Sequence, residues 1–166
     1  MSVTPSLNEH EIAFLERYAG STSIETPSGP YWFGERTAED KAYYDRLPGR
    51  AIRVSGTPGY RCEWKPDREG TSLAWNGAEK FYHGEKWMQY LIAQFLGPDA
   101  RLRDELVHPV RGRHYAAQFE HFTFDHVLEG SIEAYCADFE DRWRLVVRAG
   151  RVFVEREGQL VEVTDG

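Results

Sequence analysis

Apolar and polar positions along this chain change period several times. "SLNEHEIAFLERYAG" carries Ile12, Leu15 and Tyr18, with Phe14 beside them, in one helical stripe. Ser6 and Glu9 have the spacing of a capping box, Asn8 is a competing cap, and Gly20 is a stop. "GYRCEWK" instead alternates Tyr60, Cys62 and Trp64 against Arg61, Glu63 and Lys65, which predicts a strand with one apolar face. "PDREG" is a turn and "TSLAWNG" the returning strand, so a hairpin is expected. "RAIRVSG" is a candidate short strand before it.

"AEKFYHGEKWMQYLIAQFLGP" restores the helical period with Phe81, Met88, Leu91, Ile92 and Phe95, widened by Trp87 and Tyr90. Gly84 weakens its first turn, and Leu96-Gly97-Pro98 ends it. "DARLRDELVHPVRGRHYAAQ" is polar, and a solvated, partly mobile connection is expected there. The remainder alternates. Ile132, Ala134 and Cys136 oppose Ser131, Glu133 and Tyr135, and Trp143, Leu145 and Val147 oppose Arg142, Arg144 and Arg148. "GRVFVERE" and "QLVEV" continue this as an antiparallel meander. The order helix, hairpin, helix, meander predicts an α+β fold, with two main helices packed on one face of a mainly antiparallel sheet. One domain over 1–166 is expected, with an irregular aromatic-containing loop at about 21–50.

Composition narrows the function classes. The 166 residues are 41% hydrophobic and 14% aromatic, enough apolar surface to offset the entropy of ordering. The net charge of −7 argues against a sequence-independent grip on nucleic acid, which needs a basic surface to release counterions. No apolar run has the length of a membrane span, and "MSVTPSLNEHE" lacks the basic start and apolar core of a secretory signal. Cys62 and Cys136 form no metal or redox motif, so reduced buried thiols and a cytoplasmic location are expected.

Candidate chemistry is sparse. In "HFTFDH", a period of two puts His121, Thr123 and Asp125 on one face and Phe122, Phe124 and His126 on the other. A His and a Thr two apart on a strand form half of the paired H-x-T arrangement of two-histidine phosphoesterases, but the second motif is missing. The competing reading is a strand with its phenylalanines buried and its polar side wet. Arg142, Arg144 and Arg148 share an outward face that could hold an anion, or pair with Glu133, Glu155 and Glu157. The six histidines show no metal-ligand spacing, and no phosphate-binding or nucleophile motif occurs, so neither a metal nor a cofactor is expected. Tyr31, Trp32 and Phe33 in a glycine-flanked loop, with Tyr82 and His83 at a helix start, are candidate contacts with a ligand or protein partner.

"TPSLNEHEIAFLERYA", "GTSLAWNGAEKFYHGEKWMQYLIAQFL", "HFTFDHVLEGSIEAY" and "DRWRLVVRAGRVFVER" together resemble an uncharacterised family of small proteins from actinobacteria and their phages. The likeness covers about two-thirds of the chain. The start departs from the family: Thr4-Pro5-Ser6-Leu7 replaces a double proline, and the family's extra N-terminal strand is not expected. The resemblance implies no activity. The primary expectation is a non-enzymatic binding or regulatory protein with a protein partner, acting on a host or defence component. The alternative is an enzyme or sensor for a phosphorylated small molecule, using His121, Thr123 and Asp125 with the three arginines. A homo-oligomer joined through exposed edge strands is a third possibility.

Overall fold

In the computed structural model the described residues are 1–19, 21, 29, 42, 46, 56–78, 81–135 and 142–164. Cys136, Gly20, the Tyr31–Phe33 aromatics and nearly all of "RAIRVSG" lie outside them.

The protein is an α+β fold built on a five-stranded antiparallel sheet of order β1-β4-β5-β6-β7. These strands are β1 (Ser2–Thr4), β4 (Val127–Tyr135), β5 (Arg142–Arg148), β6 (Arg151–Arg156) and β7 (Gln159–Glu162). The last four form the expected meander. The β5–β6 turn is tight because Ala149 and Gly150 both take positive φ, 49° and 73°, the geometry whose twist matches paired strands. Val3, Leu128, Leu145, Val147 and Val152 face inward and are buried. The opposite face carries a cross-strand row, Glu133–Arg144–Glu155.

β1 corrects the expectation that no extra N-terminal strand is present. It pairs with β4 from Ser2↔Glu129 to Thr4↔Val127. Its other edge meets the hairpin of β2 (Trp64–Pro66) and β3 (Leu73–Trp75): Val3 N–H donates to the Thr71 carbonyl at 2.8 Å and Leu73 N–H to the Met1 carbonyl at 2.8 Å. That edge of the sheet is therefore covered. The hairpin itself forms as expected, and its turn is held by the Asp67 carboxylate, which accepts from Thr71 N–H at 2.7 Å and from the Thr71 and Ser72 hydroxyls. The strand is shorter than its alternation predicts. Cys62 and Trp64 are buried, but Tyr60 is exposed and Glu63 is buried. Glu63 turns inward because Asn76 supplies it with hydrogen bonds to both backbone and side chain.

Helix α1 (Glu9–Ala19) begins at Asn8, not at Ser6. The Asn8 side chain accepts from Glu11 N–H, and the Glu11 carboxylate accepts from Asn8 N–H at 2.8 Å, a reciprocal capping box two residues later than Ser6–Glu9. Phe14, Leu15 and Tyr18 are buried as expected. Helix α2 (Gly84–Leu91) starts at the weak Gly84 and widens into a π-turn at Ile92–Leu96, closed by Gly97 N–H on the Ile92 carbonyl. It packs against β6, and one continuous core joins both helices to the inward face of the sheet. Phe14 meets Phe95, Phe119 and Phe122 edge to face at 4.9–5.5 Å. Each such ring contributes about 1.5–3 kcal/mol by burial, with about 0.5–1.5 kcal/mol per pair from ring geometry.

The polar connection is also corrected. Arg101–Val107 is a helix, α3, whose Leu102 is fully buried. The signal was present: Leu102, Glu105 and Leu106 have one-face spacing, and Arg101 sits four residues before Glu105. The number of arginines masked it.

Candidate functional site

Residues 121–126 do not form a strand. Ala117–His121 is a 3-10 turn, and Phe124 takes a left-handed backbone, φ 54°, which interrupts any ladder. The alternation of burial survives this. Phe122, Phe124 and His126 are buried, while His121, Thr123 and Asp125 are exposed. The predicted trio does not assemble. His121 is about half exposed and stacks on His10, ring centres 4.0 Å apart, with Glu120 at 3.6 Å. Among the described residues, no hydrogen bond joins it to Thr123 or Asp125.

The histidine–carboxylate pair lies instead on the buried side. His126 Nε2 sits 3.0 Å from Glu11 Oε1, and both side chains are 1% exposed. The His126 Nδ1–H donates to the Pro5 carbonyl at 2.8 Å. Nδ1 thus faces a carbonyl and Nε2 a carboxylate, an environment that favours the protonated ring. Burial, the largest influence on each partner, opposes charge. For His126 it is outweighed by Glu11 and the Pro5 carbonyl, and the pKa lies above its ordinary value. For Glu11 it is outweighed by His126 and the N–H groups of Thr123 and Asn8, and the pKa lies below its ordinary value.

The Thr123 hydroxyl completes this cluster, 3.1 Å from His126 Nε2 and 3.2 Å from Glu11 Oε1. The residue types are those of a hydroxyl–imidazole–carboxylate relay, but the wiring is not. In a relay the carboxylate holds one ring nitrogen and the hydroxyl the other. Here both crowd Nε2, and a backbone carbonyl takes Nδ1. The cluster is a structural pin that fastens α1 to the segment entering β4.

Sequence reasoning missed both partners, although each carries a mark. Glu11 stands at i of the i, i+3, i+4, i+7 stripe completed by Phe14, Leu15 and Tyr18. His126 stands on the buried side of an apolar alternation. A second pin has the same origin: Glu105, buried beside Leu102, accepts from Arg113, from the Tyr115 hydroxyl at 2.9 Å and from Arg101 at 3.0 Å. Its pKa is lowered despite burial, chiefly by Arg113.

The arginine face is a paired surface at its centre. Arg142, Arg144 and Arg148 do share one side of β5, and Arg144 is bound to Glu155 across the strand at 2.5 Å. Arg151 and Glu162 repeat that arrangement on β6 and β7. Cys62 is a free thiol, buried and pushed up to about 12, chiefly by loss of solvent, so it is not poised for nucleophilic work.

No known protein family, curated protein or solved structure matches this chain.

The start of α2 is where predicted contact residues meet a concavity. His83 takes a left-handed backbone, φ 58° and ψ 39°, and makes no side-chain cap. That bend puts Phe81 against Trp64, ring centres 5.2 Å apart, and leaves Tyr82 68% exposed. Trp64 Nε1–H secures the turn by donating to the Gly84 carbonyl at 2.8 Å. Trp75, paired with Trp64 across the hairpin, is 49% exposed. Tyr60, 52% exposed, follows Gly59, which lies against Trp87 in the first turn of α2. Beginning at His83, next to Tyr82, a cleft of about 760 Å³ runs along α2, with Thr57, Pro58 and Val163 also in its wall. His83, Lys86, Gln89 and Gln94 enter it from α2 and its π-turn. No helix among the described residues is long and apolar enough to cross a membrane.

Proposed function

We propose that this is a non-enzymatic binding protein whose contact surface is the aromatic rim at the start of α2. The observation that carries the reading is the exposure of Tyr60, Trp75 and Tyr82: Tyr82 directly precedes α2, Tyr60 follows Gly59, which lies against Trp87, and Trp75 lies opposite Trp64, which binds the Gly84 carbonyl. Large rings on a rigid base make good interface anchors, because they bury much area and lose little side-chain entropy. The rim is rigid here: Trp64, Phe81 and Trp87 beneath it are wholly or largely buried. The rim includes Tyr82, with His83 beside it. The proposed partner is a protein, and the resemblance to actinobacterial and phage proteins makes a host or defence component the natural one to seek.

The scattered state of His121, Thr123 and Asp125 favours this reading over an enzyme. The test is affinity capture by the tagged protein from an actinobacterial lysate, run beside a Trp75→Ala/Tyr82→Ala variant. A stoichiometric protein held by the parent and lost by the folded variant supports the proposal. Equal retention by both places the contact elsewhere, and turnover of a substrate that depends on His121 replaces the proposal with an enzyme.

A further inference from the structure

The cleft beside the rim has a chemistry of its own. Among the described residues its positively charged or chargeable side chains are His83, Lys86 and Arg101, and no carboxylate is part of its wall, although Glu105 holds Arg101 from behind. In a chain of net charge −7 this is a local reversal of sign. Lys86 makes no ion pair among the described residues, so its ammonium is available to a ligand. Arg101 is held by Glu105 through one nitrogen, Nε, at 3.0 Å, which orients the guanidinium and leaves its terminal N–H groups as donors.

The backbone also departs from regularity at both ends of the stripe. At one end, His83 adopts the left-handed conformation that turns its side chain free of any helix cap. At the other, Gln94 sits in the π-turn, a distortion frequent at functional sites. The two positions are eleven residues apart, about 16 Å along the helix axis. A volume near 760 Å³ suits a small molecule of nucleotide size. Pro58, Ala93 and Val163 supply an apolar wall beside the charged groups.

We propose that this cleft is a binding site for a phosphate-bearing small molecule, with Lys86 and Arg101 taking the anion and Gln89 and Gln94 the neighbouring polar groups. The charge arrangement follows from phosphate chemistry: a point cation and a guanidinium fork both favour oxyanions, here at the open mouth of a cleft. The site is distinct from the proposed rim contact, and it stands on the cleft alone.

The test is isothermal titration of the whole protein with inorganic pyrophosphate and, separately, ATP at low ionic strength. Saturable binding of at least one probe at one site per chain is expected, weakened about tenfold or more in Lys86→Glu, where a charge-assisted contact becomes a like-charge one. Lys65→Glu, at the exposed position of β2 and outside the cleft, is expected to leave binding unchanged. Absence of saturable binding to both probes overturns the proposal, as does equal weakening by Lys65→Glu, the mark of diffuse electrostatics. Tyr82→Ala should leave probe binding intact, so the two sites fail or stand separately.

Discussion

The meander and the helical half use the same charged residue types to opposite ends. On the sheet, Arg144–Glu155 and Arg151–Glu162 lie across neighbouring strands with side chains 24–64% exposed. In the helical half, Glu11–His126 joins segments 115 positions apart and Glu105–Arg113 ties α3 to the segment that follows it, with the glutamates 1% and 5% exposed. The distances are similar, but the consequences of breaking them are not. Water screens and replaces the sheet pairs, whereas a buried partner left alone keeps its full desolvation cost. Burial, not the presence of an ion pair, decides which contacts hold the fold.

The sharpest way to break this contrast is at the buried pin. Glu11→Ala should destabilise the protein by about 3–5 kcal/mol in chemical denaturation, since it strands His126 and removes the reciprocal half of the capping box together. A loss under about 1 kcal/mol would put this pair in the same class as the surface pairs. Next comes Leu102→Ala, expected to cost about 2–5 kcal/mol, because α3 is anchored in the core and is not a loose connection.

A smaller effect is expected from pH. The His126 pKa is raised above 6.5 in the folded protein, so its contribution is complete below 6.5 and is lost as pH rises through the higher folded value. The Glu11 pKa is lowered below 4.5, so its contribution is complete above 4.5 and is lost as pH falls through the lower folded value. The pin should therefore stabilise most between these ordinary values and weaken on either side. Denaturation midpoints across pH, compared with those of His126→Ala, should show this component disappear in the variant. The smallest change belongs to Arg144→Ala, at most about 1 kcal/mol and reduced further by added salt.

The meander was legible residue by residue, because alternation on a half-buried sheet is a local rule: Trp143, Leu145 and Val147 face one way whatever else the chain does. The hairpin and both main helices were legible for the same reason. The candidate chemistry was not. "HFTFDH" has a correct two-residue rhythm of burial, yet its polar face holds no assembled site, and the residue that finds a carboxylate is His126 on the other side. Its partner lies 115 positions earlier, on a helix whose stripe is otherwise apolar. Tyr82 and His83 were marked by their place before Gly84, but nothing local tied them to Tyr60, Trp75 or the cleft.

The sequence by itself determined the periodicities, and through them the α+β order, the turn at Ala149-Gly150 and the inward faces of helix and strand. Only the tertiary structure decided which charges are buried, that Glu11 meets His126 beside a hydroxyl with both on one ring nitrogen, that β1 covers an edge, and that a cleft holding Lys86 and Arg101 opens along α2. The physical reason is range. Backbone geometry makes side-chain direction a property of neighbours three or four residues away, whereas desolvation and charge pairing depend on whatever the fold brings alongside.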